Sequence, residues 1–157
     1  MVRYRLITTL DPDYAAEQEL RNRVLRMPLG LELSKEDLRG EDEQLHIVGL
    51  DERGQVIACV LIAFPGAGAK VRQIAVDEAW RGQGIGAELI QRAEAVVRER
   101  GMRRVLLHAR VTARGFFEKL GYSATSAVFI EVAIPHIKME KDLPPAASTG
   151  SSSCCSA

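Results

Sequence analysis

Apolar residues in this chain follow two spacings, a period of two and a period near 3.6, and the switches between them outline the elements. Val2 to Thr8 predicts a strand. Asp11-Pro12 then predicts a helix start, an N-cap followed by proline in the first helical position. Leu20, Val24 and Met27 line one face of that helix up to Pro28. Leu29 to Gly40 reads as a loop carrying a short helix at Ser34–Leu38. Two strands, Gln44–Leu50 and Gln55–Phe64, flank the hairpin signal Asp51-Glu52-Arg53-Gly54. After the turn Pro65-Gly66-Ala67-Gly68, the strand Lys70–Asp77 slips phase: Val71 is odd, Ile74 and Val76 even. A β-bulge reconciles the two halves.

The next helix spans about Gly84 to Arg100, with Leu89, Ile90, Ala93, Val96 and Val97 facing inward and Gly101 as terminator. Arg104–Ala109 predicts a strand and Thr112–Leu120 a helix closed by Gly121. Closing strands are expected at Tyr122–Ala127 and Pro135–Lys141. This order implies an α/β fold whose mostly antiparallel sheet holds one parallel pair beside the long helix. From Leu143 onward the Pro, Ser and Gly content predicts disorder, so residues 1–142 read as one domain and 143–157 as a tail.

Composition narrows the partners. The 157 residues carry 21 basic and 21 acidic side chains, which gives no electrostatic reason to expect nucleic acid or a membrane surface. No apolar run reaches spanning length and no secretory leader is visible, so a cytoplasmic location is expected. Three cysteines build no disulfide framework: Cys59 reads as a buried thiol, and Cys154 and Cys155 sit in the tail. The last four residues fit a prenylation box only formally, because Cys155 and Ser156 replace the aliphatic residues it requires.

The candidate chemistry is concentrated in Arg81-Gly82-Gln83-Gly84-Ile85-Gly86, between a strand and a helix. Glycines at alternate positions strip side chains from a helix N-terminus, where free backbone N–H groups favour a phosphate. No Lys-Ser or Lys-Thr follows, which excludes a Walker A loop. Leu89 stands where a dinucleotide fingerprint needs a small residue. A ligand-free tight turn is the alternative, but three glycines exceed what a turn requires.

This stretch resembles the pyrophosphate loop of the GNAT superfamily of N-acetyltransferases, Arg/Gln-x-x-Gly-x-Gly/Ala, with Arg81, Gly84 and Gly86 in the pattern. Downstream, Ala113 to Tyr122 resembles the family's Ala-x-x-Phe-Tyr-x-x-x-Gly-Phe segment. Val24–Gly30 and the Ile134-Pro135-His136 strand are similar to a bacterial branch of the superfamily. The resemblance implies a GNAT-type mixed sheet of about seven strands, a splayed parallel pair that admits pantetheine, and about four helices. It also implies acetyl-CoA as co-substrate, no metal, a small-molecule amine as acceptor, and compatibility with a homodimer.

By the same resemblance, the backbone of Ile74, Ala75 and Val76 pairs with pantetheine. Arg81, Gly82, Gln83, Gly84, Ile85, Gly86 and Ala87 hold the pyrophosphate, and the segment of Phe116 and Phe117 lies along the adenosine and pantetheine arm. Phe117 occupies the place of the usual Tyr acid, so the chain departs from the family there; Tyr122 is the candidate substitute, with packing under the loop, as the family's Phe does, as the alternative. His108 and His136 are the candidate bases, since histidine titrates near neutrality; for each, and for His46, a structural role is the alternative. Three histidines could in principle bind a metal, but no ligand spacing supports it. Glu32, Glu36, Asp37 and Glu131 could attract a cationic amine, Glu118 reads as a solvated helix residue, and Arg72 could bind an acidic acceptor. Two other functions stay open: a catalytically weak CoA-sensing domain, or an enzyme acetylating protein or peptide amines.

Overall fold

The computed structural model describes residues 1–145, so the expected tail and the formal prenylation box lie largely or wholly outside the described residues. Its sheet is mixed and mostly antiparallel, with eight strands where about seven were expected. Three α-helices lie among the described residues, where about four were expected. The chain divides into two compact units, the first made of 1–63 and 71–93, the second of 64–70 and 94 onward. No helix of the described residues is long and apolar enough to cross a membrane.

In the first unit, β1 (Arg3–Ile7), β2 (Leu45–Leu50) and β3 (Val56–Ala63) form an antiparallel meander, and β4 (Ala69–Val76) follows β3 in the sheet. β3 is buried along nearly its whole length, which explains its continuous apolar run in place of alternation. α1 (Asp13–Arg21) packs on β3, and Leu20, Val48, Leu50, Cys59 and Ala75 share one core with Tyr14, Val24 and Leu25.

Asp11 caps α1 as expected: its Oδ1 accepts the Asp13 N–H at 2.9 Å, while Pro12 already has helical dihedrals. The helix does not continue regularly to Pro28. It widens into a π-turn at Asn22–Arg26 and tightens into a 3₁₀ turn at Met27–Leu29. The short helix expected at Ser34–Leu38 is a series of turns, held by Asp37 bonding the Ser34 N–H and the Arg26 guanidinium.

At the position where a bulge was expected in β4, Gln73 has a φ of 55°, a left-handed break in the extended backbone. Ala69, Val71 and Ala75 are the buried positions, and Ile74 and Val76 are half-buried, so the slip does not carry those two inward.

In the second unit, Ala69 and Lys70 pair parallel with Val105 and Leu106 of β5 (Arg104–Arg110). β8 (Ile134–Asp142) pairs antiparallel with β5, with β6 (Ser123–Ala124), and with β7 (Phe129–Glu131). β7 was not expected; three residues are too short to display alternation. Its hairpin to β8 turns through Val132 and Ala133, both at positive φ (50° and 65°). A β-branched residue there carries backbone strain of about 1–3 kcal/mol.

α2 (Ile85–Glu99) runs from the first unit into the second, and α3 (Arg114–Lys119) lies in the second. α2 ends at Gly101 with the Met102 N–H on the Val97 carbonyl, a Schellman closure. Leu143, placed in the tail from its sequence, is buried and donates its N–H to the Arg103 carbonyl.

Candidate functional site

The glycine loop belongs to the first unit. Past the end of β4, Asp77 accepts the Ala79 N–H at 2.9 Å and starts a single 3₁₀ turn, Glu78–Trp80. Arg81 is extended, and Gly82 and Gly84 take φ of 78° and 79°. A Cβ at either glycine would meet nothing within 4 Å, so the space over the loop is open. The Glu88 N–H bonds the Gly84 carbonyl at 3.1 Å, which places Gly84 at the mouth of α2. The N–H groups of the first helical turn then face that space without intrahelical partners. Arg81 Nε donates to the Val76 carbonyl at 3.4 Å, tying the loop's cation to the end of β4. An open pocket of about 390 Å³ adjoins the loop, lined by Tyr4, Trp80, Gln83, Gly84, Ile85 and Arg92 among others.

Beside Gln73 of β4 lies a buried ion cluster that sequence reasoning missed. Arg21, fully buried, donates Nε to the Gln73 side-chain oxygen at 3.1 Å, and Nη1 to Glu17 at 3.0 Å and Glu41 at 2.8 Å. Its Nη2 grips the second Glu41 oxygen, giving the two-pronged pairing of guanidinium and carboxylate. Tyr14 donates its hydroxyl to Glu41 at 2.8 Å, and Cys59 donates its thiol to the Gln73 carbonyl. Burial pushes the Tyr14 hydroxyl up to about 12, with Glu41 adding to the effect. Burial also raises the Cys59 thiol well above its ordinary value, consistent with an inert core cysteine.

His46 faces an acceptor at each nitrogen: Nδ1 lies 3.0 Å from Glu17 and Nε2 lies 2.8 Å from the Glu41 carbonyl. Two acceptors require two N–H donors, so the ring is an imidazolium. Burial opposes that charge, but the Glu17 hydrogen bond and the carboxylate charges outweigh it, and the His46 pKa is raised. Glu41 shows the converse: burial opposes its ionisation, Arg21 outweighs burial, and the carboxyl is held below its ordinary value. With Glu17 and Glu41 negative and Arg21 and His46 positive, the four fully buried groups sum to zero. Glu17, Glu41 and His46 each bring a ligand atom within 4.8 Å of the others, but Arg21 already occupies both carboxylates. A divalent cation there would face a guanidinium, so this donor set does not fit a metal.

Arg72 is committed as well. It donates to Gln44 at 2.7 Å, and to Glu41 and the Asp37 carbonyl at 3.3 Å, so an acidic acceptor does not find it free. Asp37 is held at about 2 although burial works the other way, because Arg26 and Ser34 stabilise its charge.

In the second unit, His108 Nδ1 lies 2.8 Å from a Glu131 oxygen, and Phe129 meets the imidazole edge-on at 5.0 Å. His136 also packs on Phe129, stacked at 6.1 Å, and donates Nδ1–H to the Ile134 carbonyl at 2.8 Å. Tyr122 requires a correction. It is 2% exposed and donates its hydroxyl to Glu94 at 2.8 Å, with Lys141 on the same carboxylate at 3.1 Å. Burial first, and Glu94 second, push its pKa far up, so it is a core residue and not an available acid. Phe117 is also buried and packs edge-on against Tyr122, while Phe116 is 39% exposed. Glu118 forms an exposed pair with Arg114, as a solvated helix residue should.

Residues 11–143 match the family described as an acetyltransferase (GNAT) domain. The chain belongs to the GNAT acetyltransferase family. The N-acetyltransferase CT2212 of Chlorobaculum tepidum, itself uncharacterized, is 42% identical over 73 residues, 46% of each chain. That match and two to Bacillus subtilis proteins each span about half the length of the relative. An acyl-CoA N-acyltransferase from Pseudomonas aeruginosa shares the fold with a TM-score of 0.78 at 22% identity, covering 90% of this chain and 99% of that one. The PaiA N-acetyltransferase of Thermoplasma acidophilum, solved with coenzyme A, aligns with a TM-score of 0.72 at 15% identity over 90% and 99% of the two chains.

Within this GNAT domain the expected site residues fall into distinct groups. Ile74, Ala75 and Val76 lie in β4 beyond Gln73 and lead into Arg81 and the glycine loop. Gly86 and Ala87 are in the first turn of α2. His108 and His136 share the Phe129 cluster, whereas Phe117 and Tyr122 belong to the core. The residues missed from sequence are Glu17, Arg21, Glu41 and Gln73 at the left-handed break and the Glu131 contact to His108. Their only local signal was the unexplained cost of burying charge, which a sequence does not display.

Proposed function

We propose that this GNAT domain acts in the cytoplasm and transfers the acetyl group of acetyl-CoA to a primary amine of a small molecule by direct attack on the thioester. The observation carrying this reading is the glycine loop, which leaves open space at the N-terminus of α2, one 3₁₀ turn past the end of β4. Bound acetyl-CoA supplies an activated acyl group as a thioester.

The residues present fit that ligand. The backbone of Gly82 to Ala87 offers donors to a pyrophosphate, and the α2 dipole favours its charge. Gln73 departs from extended backbone with a φ of 55°, and on this reading the backbone of Ile74–Val76 just beyond it pairs with the extended pantetheine and polarises the carbonyl. The parallel ladder from β4 to β5 registers only two residue pairs, Ala69↔Val105 and Lys70↔Leu106.

The test is CoA-thiol release from acetyl-CoA across polyamines, amino sugars, amino acids, aryl amines and peptides, with Gly84→Val as the loop variant. Gly84→Val fills the open space and should weaken CoA binding by more than tenfold while the protein still melts cooperatively. Unchanged CoA affinity would refute the loop assignment. A second reading, a CoA-sensing domain with weak catalysis, is favoured by Phe117 at the place of the usual Tyr and by the burial of Tyr122, so neither position offers a phenol as acid. CoA binding without turnover on any acceptor would select it.

A further inference from the structure

We infer that Arg21 and Gln73 form a positioning lock for the donor site: by holding Gln73 in its left-handed conformation, Arg21 sets the orientation of the Ile74–Val76 backbone that meets the pantetheine arm. The inference rests on the acetyl-CoA reading above and adds to it two residues outside the glycine loop. Every residue it uses lies in the first unit.

Glutamine at a φ of 55° is strained, where glycine would take the same conformation freely. A strained residue of this kind persists only where its surroundings over-determine it. Those surroundings grip Gln73 at two points. Its side-chain oxygen accepts the Arg21 Nε–H at 3.1 Å, and its carbonyl accepts the Cys59 thiol at 3.5 Å. Arg21 and Cys59 are both fully buried, so each anchor is held by close packing.

Arg21 is itself fixed. Glu17 and Glu41 take its terminal nitrogens, and the buried Nε–H finds its acceptor in Gln73. The neighbouring Arg72 reaches the same cluster, donating to Gln44 at 2.7 Å and to Glu41 at 3.3 Å. Successive side chains of a regular strand leave on opposite faces, yet Arg72 ends on Glu41 and Gln73 on Arg21, its partner. The break in alternation coincides with the point where β4 meets the cluster. Arg21 also sits where α1 gives way to the π-turn Asn22–Arg26, a second departure from regular geometry at the same contact.

The stretch beyond the lock is short and pinned at its far end. Ile74, Ala75 and Val76 follow Gln73 directly, and the next residue, Asp77, donates its N–H to the Ile57 carbonyl at 2.8 Å. Val76 offers its carbonyl to Arg81 Nε at 3.4 Å, at the start of the glycine loop. Relaxing Gln73 to an extended φ would rotate the peptide groups of this stretch, while the loop beyond Asp77 keeps its shape. The lock therefore governs the pantetheine arm and leaves the phosphate end of the ligand untouched.

Arg21 variants would strand two buried carboxylates and threaten the fold, so Gln73 carries the test. Gln73→Ala and Gln73→Gly both remove the acceptor of Arg21 Nε, but only alanine is strained at a left-handed φ. Calorimetry measures the wild type and both variants against CoA and against adenosine 3′-phosphate 5′-diphosphate, which is CoA without its pantetheine arm. Melting temperature accompanies each. Gln73→Ala should lower CoA affinity about tenfold and change that of the truncated ligand by less than about twofold. Gln73→Gly should keep CoA affinity within about threefold of the wild type. Both variants binding CoA as the wild type does, with only their melting temperatures lowered, would overturn the lock and leave the acetyl-CoA reading standing. So would equal losses for the two ligands, or a glycine variant as weak as the alanine one. A wild type that binds the truncated ligand as tightly as CoA would overturn the pairing of the arm with β4, and the lock with it. A wild type that binds neither ligand would overturn the donor reading and the lock together.

Discussion

Replacing Glu41 by Gln should expose the ion cluster beside Gln73 of β4 as the most stability-critical polar feature of the first unit. Glu41 accepts from both Arg21 terminal nitrogens, from the Tyr14 hydroxyl and from Arg72. The amide preserves shape but removes one negative charge. Glu17 alone is then left to balance Arg21 and His46, each fully buried. Breaking a buried pair by neutralising one partner costs about 3–5 kcal/mol. For a domain of this size that corresponds to a fall in Tm of about 6–20 °C.

The pH dependence is a sharper test than the magnitude. In the wild type the His46 pKa is raised above its ordinary 6.5, so its contribution is complete below that value and is lost as pH climbs through the raised one. In Glu41→Gln, loss of the His46 proton instead relieves the excess positive charge. The gap between the two proteins should therefore narrow from pH 6 to pH 9. Urea denaturation followed by far-UV circular dichroism at several pH values measures it. A loss below about 1 kcal/mol at pH 6, or a gap that widens with pH, would refute the charge balance assigned to the four groups.

The remaining predictions address the corrected residue and the strained hairpin. Tyr122→Phe should destabilise by about 1–2 kcal/mol through loss of its hydrogen bond to Glu94, while kcat stays within about twofold. A tenfold fall in kcat at unchanged Tm would restore Tyr122 as an acid. Replacing Val132 by Asn and Ala133 by Gly supplies the residues a two-residue turn of this hand prefers, and should raise Tm by about 2–6 °C. No rise in Tm would remove backbone strain as a property of that turn.

The sequence by itself determined the α/β order of elements, the helix ends at Gly101 and Gly121, and the open glycine turn that leads into α2. Each is local: a few consecutive residues with a period, a cap or a missing side chain. The π-turn after Arg21 and the three-residue β7 stayed hidden because so short a segment displays no period, and the Val132-Ala133 turn lacks the Gly or Asn that usually marks one. Only the tertiary structure decided which polar groups meet. Arg21 reaches Gln73 across 52 positions, His46 reaches Glu17 across 29, and His108 reaches Glu131 across 23. Such pairs depend on strand register and on the path of the chain between elements, which local periodicity does not encode. The same packing turned Tyr122 from a candidate acid into a buried donor, because burial and a carboxylate partner set its chemistry, not its place in a motif.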